Sequence, residues 1–380
     1  MRVFVGEFLC GGGMLSTPQN QIPSSLLSEG RAMWQALVTD FADWAEVVTP
    51  IDPRFGLPGI DLVADVPDAV RCVALELAET VCEQWLRLAK KCDVAILVAP
   101  ETDGELARLV AAFRDADIDV LAVDEPTMQM ASDKWLTAKW LTEHAIPTPL
   151  TWSNKDSSTD ELKRQSSRLG SVGLTANRWV RKPRDGCGSE AIRVFDDWEL
   201  ACSALQDNEV AQAWIEGRPA SILVVGEAKN AIAEPVICPA VWQHCQRRND
   251  DTAADNQSAG RSTHYTGGSG PIDIELQSRG FKLAKQVLQA LPASPRGFLG
   301  IDFVLGDRPE DDCVIEINPR LTTSYIGVRH LTDQNLTSIW NPSLITEQPE
   351  ASFSFRTGSN QVRWATSGEV QTDRKSSSDC

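Results

Sequence analysis

The sequence predicts an α/β architecture for the first third of the chain and an α+β architecture for the remainder. Residues 2–123 alternate short apolar strands with longer helical patterns, the pattern changes after Ala131, and two strands near residues 298–318 are apolar runs punctuated by acids. At 380 residues the chain exceeds the ~250–300 residues at which a single core stops growing, so two or three domains or lobes are expected.

Met1 to Glu7 alternates like a first strand, which runs to Phe8 and enters the loop Cys10-Gly11-Gly12-Gly13. A helix is expected from about Ser24 to Trp44, a strand over Glu46 to Thr49, and a second helix from about Ala69 to Lys90. Strand Val94 to Ala99, helix Gly104 to Arg114 and strand Val120 to Val123 follow. This order implies a parallel sheet, and ligands bind beyond the carboxyl ends of such strands. Two spots lie there: Glu7 with Gly11 and Gly12, and Pro100-Glu101-Thr102. GxGxxG is absent, so the triple glycine is no dinucleotide fingerprint; it fits either a tight turn or a backbone nest for an anionic group. Glu101 reads either as an acid complementing a helix dipole or as a grip on a substrate amine.

Past Ala131, Ser132 or Asp133 caps a helix with Lys134 in its first turn, ending before Ile146-Pro147-Thr148-Pro149. A lysine there opposes the helix dipole, which a nearby anion would explain, although surface lysines are common at that position. Residues 154–171 read as polar helix and loop. Strand Arg178 to Lys182 leads into Gly186-Cys187-Gly188-Ser189 and a strand from Ala191 to Phe195. Lys182 can reach a phosphate and the small residues let backbone N–H groups approach it; taken alone a hairpin turn with flanking charge is the safer reading, and its place about 130 residues before the acid-punctuated hairpin alters that. Glu209 to Gly217 reads as a strand and turn, with Ala220 to Val225 as its continuation. Its backbone beside Trp214 and Ile215 suits an adenine edge or a plain core strand.

The segment from Gly297 to Leu305, a turn, and Cys313 to Arg320 is the most informative. Residues two apart on a strand share a face, so Glu316 and Asn318 point one way and Ile315 and Ile317 the other. A hairpin turning about Pro309 sets Asp302 opposite Glu316, with Cβ atoms roughly 4.5–5.5 Å apart, which is destabilising for two bare carboxylates. A bound cation removes the objection. Two carboxylates and an amide oxygen suit Mg²⁺, with Mn²⁺ as a substitute. Such an ion fills its remaining positions with water and nucleotide phosphates, and Arg320, two residues after Asn318, adds a permanent cation beside them. A solvated edge hairpin would account for a lone acid but not for this combination of four.

The formal net charge is −17, which repels phosphate backbones and anionic lipids and argues against nucleic acid or a membrane surface as the main partner. Any nucleotide site must then be a local basic pocket. No apolar run approaches the ~20 residues of a membrane span. An acid stands where a signal peptide needs apolar residues, so the cytosol is the expected compartment. The ten cysteines are scattered without a CxxC pair and read as reduced, small hydrophobes. The spacing of Cys238, His244, Cys245 and His264 fits no common zinc pattern.

On these residues the chain resembles the ATP-grasp carboxylate–amine ligases over roughly Met1 to Arg329. That resemblance implies an N-terminal parallel α/β (pre-ATP-grasp) domain at 1–125 and two α+β lobes enclosing ATP at 126–218 and 219–366; residues 367–380 read from their composition as a polar tail, expected to be disordered. It further implies phosphate contacts from Lys134 and Lys182, a loop over them at Gly186, Cys187, Gly188 and Ser189, and adenine contacts from Gln212 to Ile215. Asp302, Glu316 and Asn318 would hold magnesium, and Arg320 and Asn318 would act in catalysis. Many members have a glutamate near Ala213, which this chain lacks. FVGEFLCGGG, LVAPETDG, RKPRDGCGSE, YTGG and EINPRLTTSYIG are similar to the branch with tyramine–glutamate ligases of methanofuran-type cofactor synthesis. Small-molecule amino-acid and amine substrates would then meet Glu7, Gly11, Gly12, Glu101, Thr102, Tyr265, Gly267 and Ser324.

The implied reaction forms an acyl phosphate that an amine then attacks. Candidate lids are Arg184 to Ser189 and Gln246 to Thr263, the latter equally readable as a disordered insertion. The hydroxyls of Leu321 to Tyr325 fit a substrate contact or a helix cap. A last strand is expected within Ala351 to Ala365. Another acid–amine pair, a carboxylase, or a nucleotide-binding protein without chemistry are the alternatives. A homo-oligomer is compatible with the sequence, which sets no copy number.

Overall fold

The computed structural model describes residues 1–56, 66–157, 178–186, 192–203, 205–227, 234–248, 261–341, 353–358 and 361–372. Strands β1 (Arg2–Glu7), β2 (Glu46–Ile51), β3 (Val70–Ala74) and β4 (Val94–Val98) form a parallel sheet in the order β3-β2-β1-β4. Helices cover both faces, which is why β1 is apolar at successive positions rather than alternating. Val3 and Val5 face Trp34, Leu37 and Phe41 of α1 (Ser24–Ala42), while Phe4 meets Trp85 of α2 (Val81–Ala89) and Phe113 of α3 (Glu105–Asp115).

Two expectations for this region are corrected. Residues 69–90 are not one helix: Val70 to Ala74 pair in parallel with β2, and the helix starts only at Val81. The β-branched valines favour the strand. Thr80 caps the helix by accepting from the Glu83 N–H, and its hydroxyl also donates to the Glu83 carboxylate. Val120 to Val123 makes a single bridge, Val120 to Ala95. The carbonyls of Ala122 and Val123 instead accept from the Arg114 guanidinium, at 3.2 and 2.7 Å, so no ladder continues.

Two helices follow, α4 (Glu125–Ala131) and α5 (Lys134–Glu143); Asp133 caps α5 by accepting from Trp135 and Leu136 N–H. The second sheet is antiparallel and runs β14-β13-β9-β11-β12-β7-β6-β8-β5. Its strands are β5 (Thr151–Trp152), β6 (Trp179–Pro183), β7 (Arg193–Phe195), β8 (Glu209–Ala213), β9 (Arg218–Val225), β11 (Val241–Arg248), β12 (Arg261–Gly270), β13 (Phe298–Leu305) and β14 (Cys313–Asn318). A short β10 (Val236–Ile237) pairs with β9. A short helix α6 (Trp198–Ser203) covers the β6–β7 end, and α7 (Ile274–Ala290) packs Leu283, Ala284 and Val287 against Leu299, Ile301 and Phe303 of β13.

β9 does not continue β8: β8 lies between β6 and β5, whereas β9 lies between β13 and β11. The chain changes direction at Gly217, whose φ of +149° and whose approach to Leu305, 2.5 Å from a built Cβ to the carbonyl oxygen, exclude any side chain. The C-terminal expectation is also corrected. After β15 (Val362–Ala365) the chain turns over residues 366–369 and returns as β16 (Val370–Thr372), so 367–372 belong to a hairpin rather than to a tail. Residues 373–380 lie outside the described residues, as do 249–260 of the expected lid and 158–171 of the expected helix and loop; Gln246–Arg248 and Arg261–Thr263 extend β11 and β12. Among the described residues no helix is long and apolar enough to cross a membrane.

Candidate active site

The β13–β14 hairpin pairs Gly300 with Asn318, Ile301 with Ile317 and Asp302 with Glu316. A bulge after Asp302 then shifts the register, so Phe303 meets Val314. Asp302 Oδ1 accepts from Gln243 Nε2 at 2.9 Å and Oδ2 from Asn318 Nδ2 at 3.1 Å. Burial, reinforced by the facing Glu316, pushes the Asp302 carboxyl up to about 7. Burial would also raise Glu316, but the cations of Lys134, Lys182 and Arg320 outweigh it and hold that carboxyl below its usual range.

Glu316 Oε1 lies 3.1 Å from Lys134 Nζ, which also donates to the Gly186 carbonyl at 2.9 Å. The Lys134 N–H donates to the Arg184 carbonyl at 2.8 Å, and Arg184 in turn pairs with Asp133 and Asp156. These bonds fasten the start of α5 to the end of β6. Lys182 on β6 is only 4% exposed, and burial, with Lys134 nearby, lowers its ammonium to about 8 despite Glu316 and Asp302. Cys187, Gly188 and Ser189 lie outside the described residues.

Arg320 reaches to the other sheet. Its Nε and Nη2 donate to Glu101 Oε1 and Oε2 at 2.8 and 3.1 Å, in a fork whose side chains are 10% and 5% exposed. The adjoining Asp103 N–H donates to Asp185 Oδ2 at 2.8 Å, and Thr102 stands beside Gly186. Glu7, at the end of β1, is buried, which raises its carboxyl; Oε2 accepts from the Cys10 N–H at 2.7 Å. Gly30 of α1 is pressed against that carboxylate, since a Cβ there would stand 2.7 Å from Oε1. The Gly11 N–H donates to the Glu7 carbonyl and Gly13 to that of Phe8, the bonds of a tight turn rather than of an outward nest.

The remaining candidates are more dispersed. Tyr265 is buried, which raises its phenol, with the Thr323 and Trp364 side chains beside it. Gly267 pairs with Ala365 of β15. Ser324 hydrogen-bonds Thr322 (2.7 Å) and does not cap helix α8 (Tyr325–Val328). Gln212 is buried and donates to Thr151 Oγ1 at 3.0 Å. Trp214 and Ile215 are half-buried, and Arg178 lies 4.9 Å from the Trp214 ring. A groove of about 710 Å³ runs from Trp214 and Arg218 past Trp242, Gln243 and His244 to Arg363.

Asp302, Glu316, Asn318, Lys134, Lys182 and Arg320 thus share one electrostatic neighbourhood, joined to Glu101 by direct contact. Sequence reasoning missed Gln243, which carries no motif and lies 59 residues from Asp302. Among the described residues no three His, Cys, Asp or Glu side chains converge. The hard-oxygen set here is two carboxylates with the Asn318 amide, and that chemistry fits a divalent ion such as magnesium.

Comparison with known proteins places this geometry in a class. Residues 131–324 match the ATP-grasp domain and 34–125 the pre ATP-grasp 3 domain. The chain belongs to the ATP-grasp family. Tyramine–L-glutamate ligases of Methanocaldococcus fervens and Methanocaldococcus jannaschii are 22% and 21% identical over 80% of this chain, covering 84% and 80% of their own lengths. A solved ATP-grasp superfamily protein of Archaeoglobus fulgidus superposes with a TM-score of 0.59 at 20% identity, over 90% of this chain and 88% of that one.

Proposed function

We propose that this protein is an ATP-dependent carboxylate–amine ligase that joins the carboxylate of L-glutamate to tyramine or a related aromatic amine, forming ADP and phosphate, as a step in cofactor synthesis in the cytosol. The observation that carries the reaction type is the gathering of Lys134, Lys182 and Arg320 around the Asp302–Glu316 pair. The substrate pair is taken from the relatives' names, at an identity that leaves the pocket free to differ.

Lys134 and Lys182 would bind the nucleotide phosphates. A substrate carboxylate oxygen attacks the γ-phosphorus, the bond to the β-phosphate oxygen breaks, and Arg320 offsets the charge that spreads over the transferring group. The neutral amine then attacks the acyl carbon, phosphate leaves, and the amine gives up a proton. Asp302, Glu316 and Asn318 would hold magnesium, whose bound charge neutralises phosphate oxygens. Holding both reactants in a dry cleft supplies much of the rate and spares the acyl phosphate from water.

The test is ADP release with ATP, Mg²⁺ and L-glutamate, with and without tyramine, for the parent and for Glu316→Ala and Arg320→Ala. Tyramine-dependent release lost in both variants supports the reading. Release that answers only to other acids or amines replaces the substrate pair, and ATP binding without turnover across a panel rejects catalysis.

A further inference from the structure

Glu101 has two sequence readings, a helix-dipole acid or a grip on a substrate amine, and its carboxylate has a different occupation in the fold. Both oxygens accept from Arg320, at 2.8 and 3.1 Å, in a nearly buried fork. A third Arg320 donor, Nη1, reaches the Leu321 carbonyl at 3.0 Å. The segment carrying Glu101 is pinned on its far side too. Asp103 N–H donates to Asp185 Oδ2 at 2.8 Å, and Gly104 N–H donates back to the Glu101 carbonyl at 2.9 Å. One stretch, residues 100–104, therefore touches both the end of β14 and the loop after β6. Drawing Glu101 away towards an amine would leave a buried guanidinium uncompensated, which a low-dielectric site penalises heavily.

We propose that Glu101 is a positioning residue: its two-point fork fixes the Arg320 guanidinium beside Glu316 and Asp302, so that the N-terminal sheet aligns the cation that meets the transferring group. A planar guanidinium gripped through two parallel bonds has little rotational freedom, and stabilisation of developing charge depends on donors that need no reorganisation. The inference rests on the role given above to Arg320.

The experiment measures kcat and the KM values for ATP, acid and amine in Glu101→Gln, Glu101→Asp, Arg320→Ala and the Glu101→Gln/Arg320→Ala double variant, with a melting curve for each. Substrates are the acid and amine that support turnover by the parent. Glu101→Gln is expected to lose about 10–100-fold in kcat, on the scale of misplacing one charge-stabilising donor, with each KM within about threefold of the parent. Glu101→Asp should recover part of that loss, and Glu101→Gln should cost nothing more once Arg320 is gone. If Glu101→Gln melts below the assay temperature, Glu101→Asp gives the same kcat-against-KM split. A raised KM for the amine that persists in the Arg320→Ala background overturns the proposal and makes Glu101 a substrate contact. Normal kcat in Glu101→Gln, with a clear loss in Arg320→Ala, defeats the positioning role alone. An Arg320→Ala variant as active as the parent defeats the assignment of Arg320 itself.

Discussion

Lys182 is held in a state its residue type does not prefer. Its ammonium is buried beside Lys134, and its pKa falls from 10.5 to about 8, with Glu316 and Asp302 only partly compensating. Near pH 7 it is charged in the free enzyme, ready for phosphate. We expect kcat/KM for ATP to fall as pH rises through about 8, and Lys182→Arg to carry the plateau to higher pH; a profile unchanged by that substitution would refute the assignment. The same shift sets a sign for stability. Between about pH 8 and 10.5 the unfolded chain binds a proton that the folded one does not, so this group adds stability as pH rises across that window. Lys182 was visible in the sequence as a basic residue at a strand end, but its burial was not, because the groups that cover it come from distant parts of the chain.

At the scale of elements, the strands with strong apolar patterns were legible, and the misreadings fell where local pattern admits two answers. Residues 69–90 carry enough apolar residues for a helix, yet the vacant edge of β2 recruits Val70 to Ala74 as a strand. The turn at Gly217 hid a change of neighbours, since two apolar strands with a glycine between them look like one interrupted strand. Gly217→Ala should therefore do more than remove flexibility: it combines a disfavoured φ with a clash against Leu305 O. The expected loss is about 1–3 kcal/mol or more, read as a lower urea midpoint. An unchanged midpoint would mean that the β8–β9 connection relaxes without penalty. The hairpin shows the reach of simple register arithmetic, which gives the Asp302–Glu316 pair and then fails one residue later at a bulge.

At the scale of the whole molecule, residues hundreds of positions apart close the structure. Asp40 on α1 accepts from Tyr325 and Arg329, and its backbone carbonyl accepts from Asn335. Asp40→Asn leaves the mostly buried Arg329 cation without its counter-charge, and we expect a loss of about 3–5 kcal/mol in urea unfolding. A loss below about 1 kcal/mol, the scale of an exposed pair, would show that solvent compensates Arg329. The Arg320–Glu101 fork, 219 residues apart in sequence, joins the two sheets in the same way beside the chemistry.

The sequence by itself determined the alternating α/β start, the acid-punctuated hairpin and its family resemblance, because each depends on spacing along one strand or helix. The tertiary structure alone decided that Glu101 grips Arg320, that Gln243 supports Asp302 and that Lys134 meets Glu316. Those contacts depend on which elements lie side by side, and burial of apolar faces governs that choice without leaving a local signal at the polar residues it brings together.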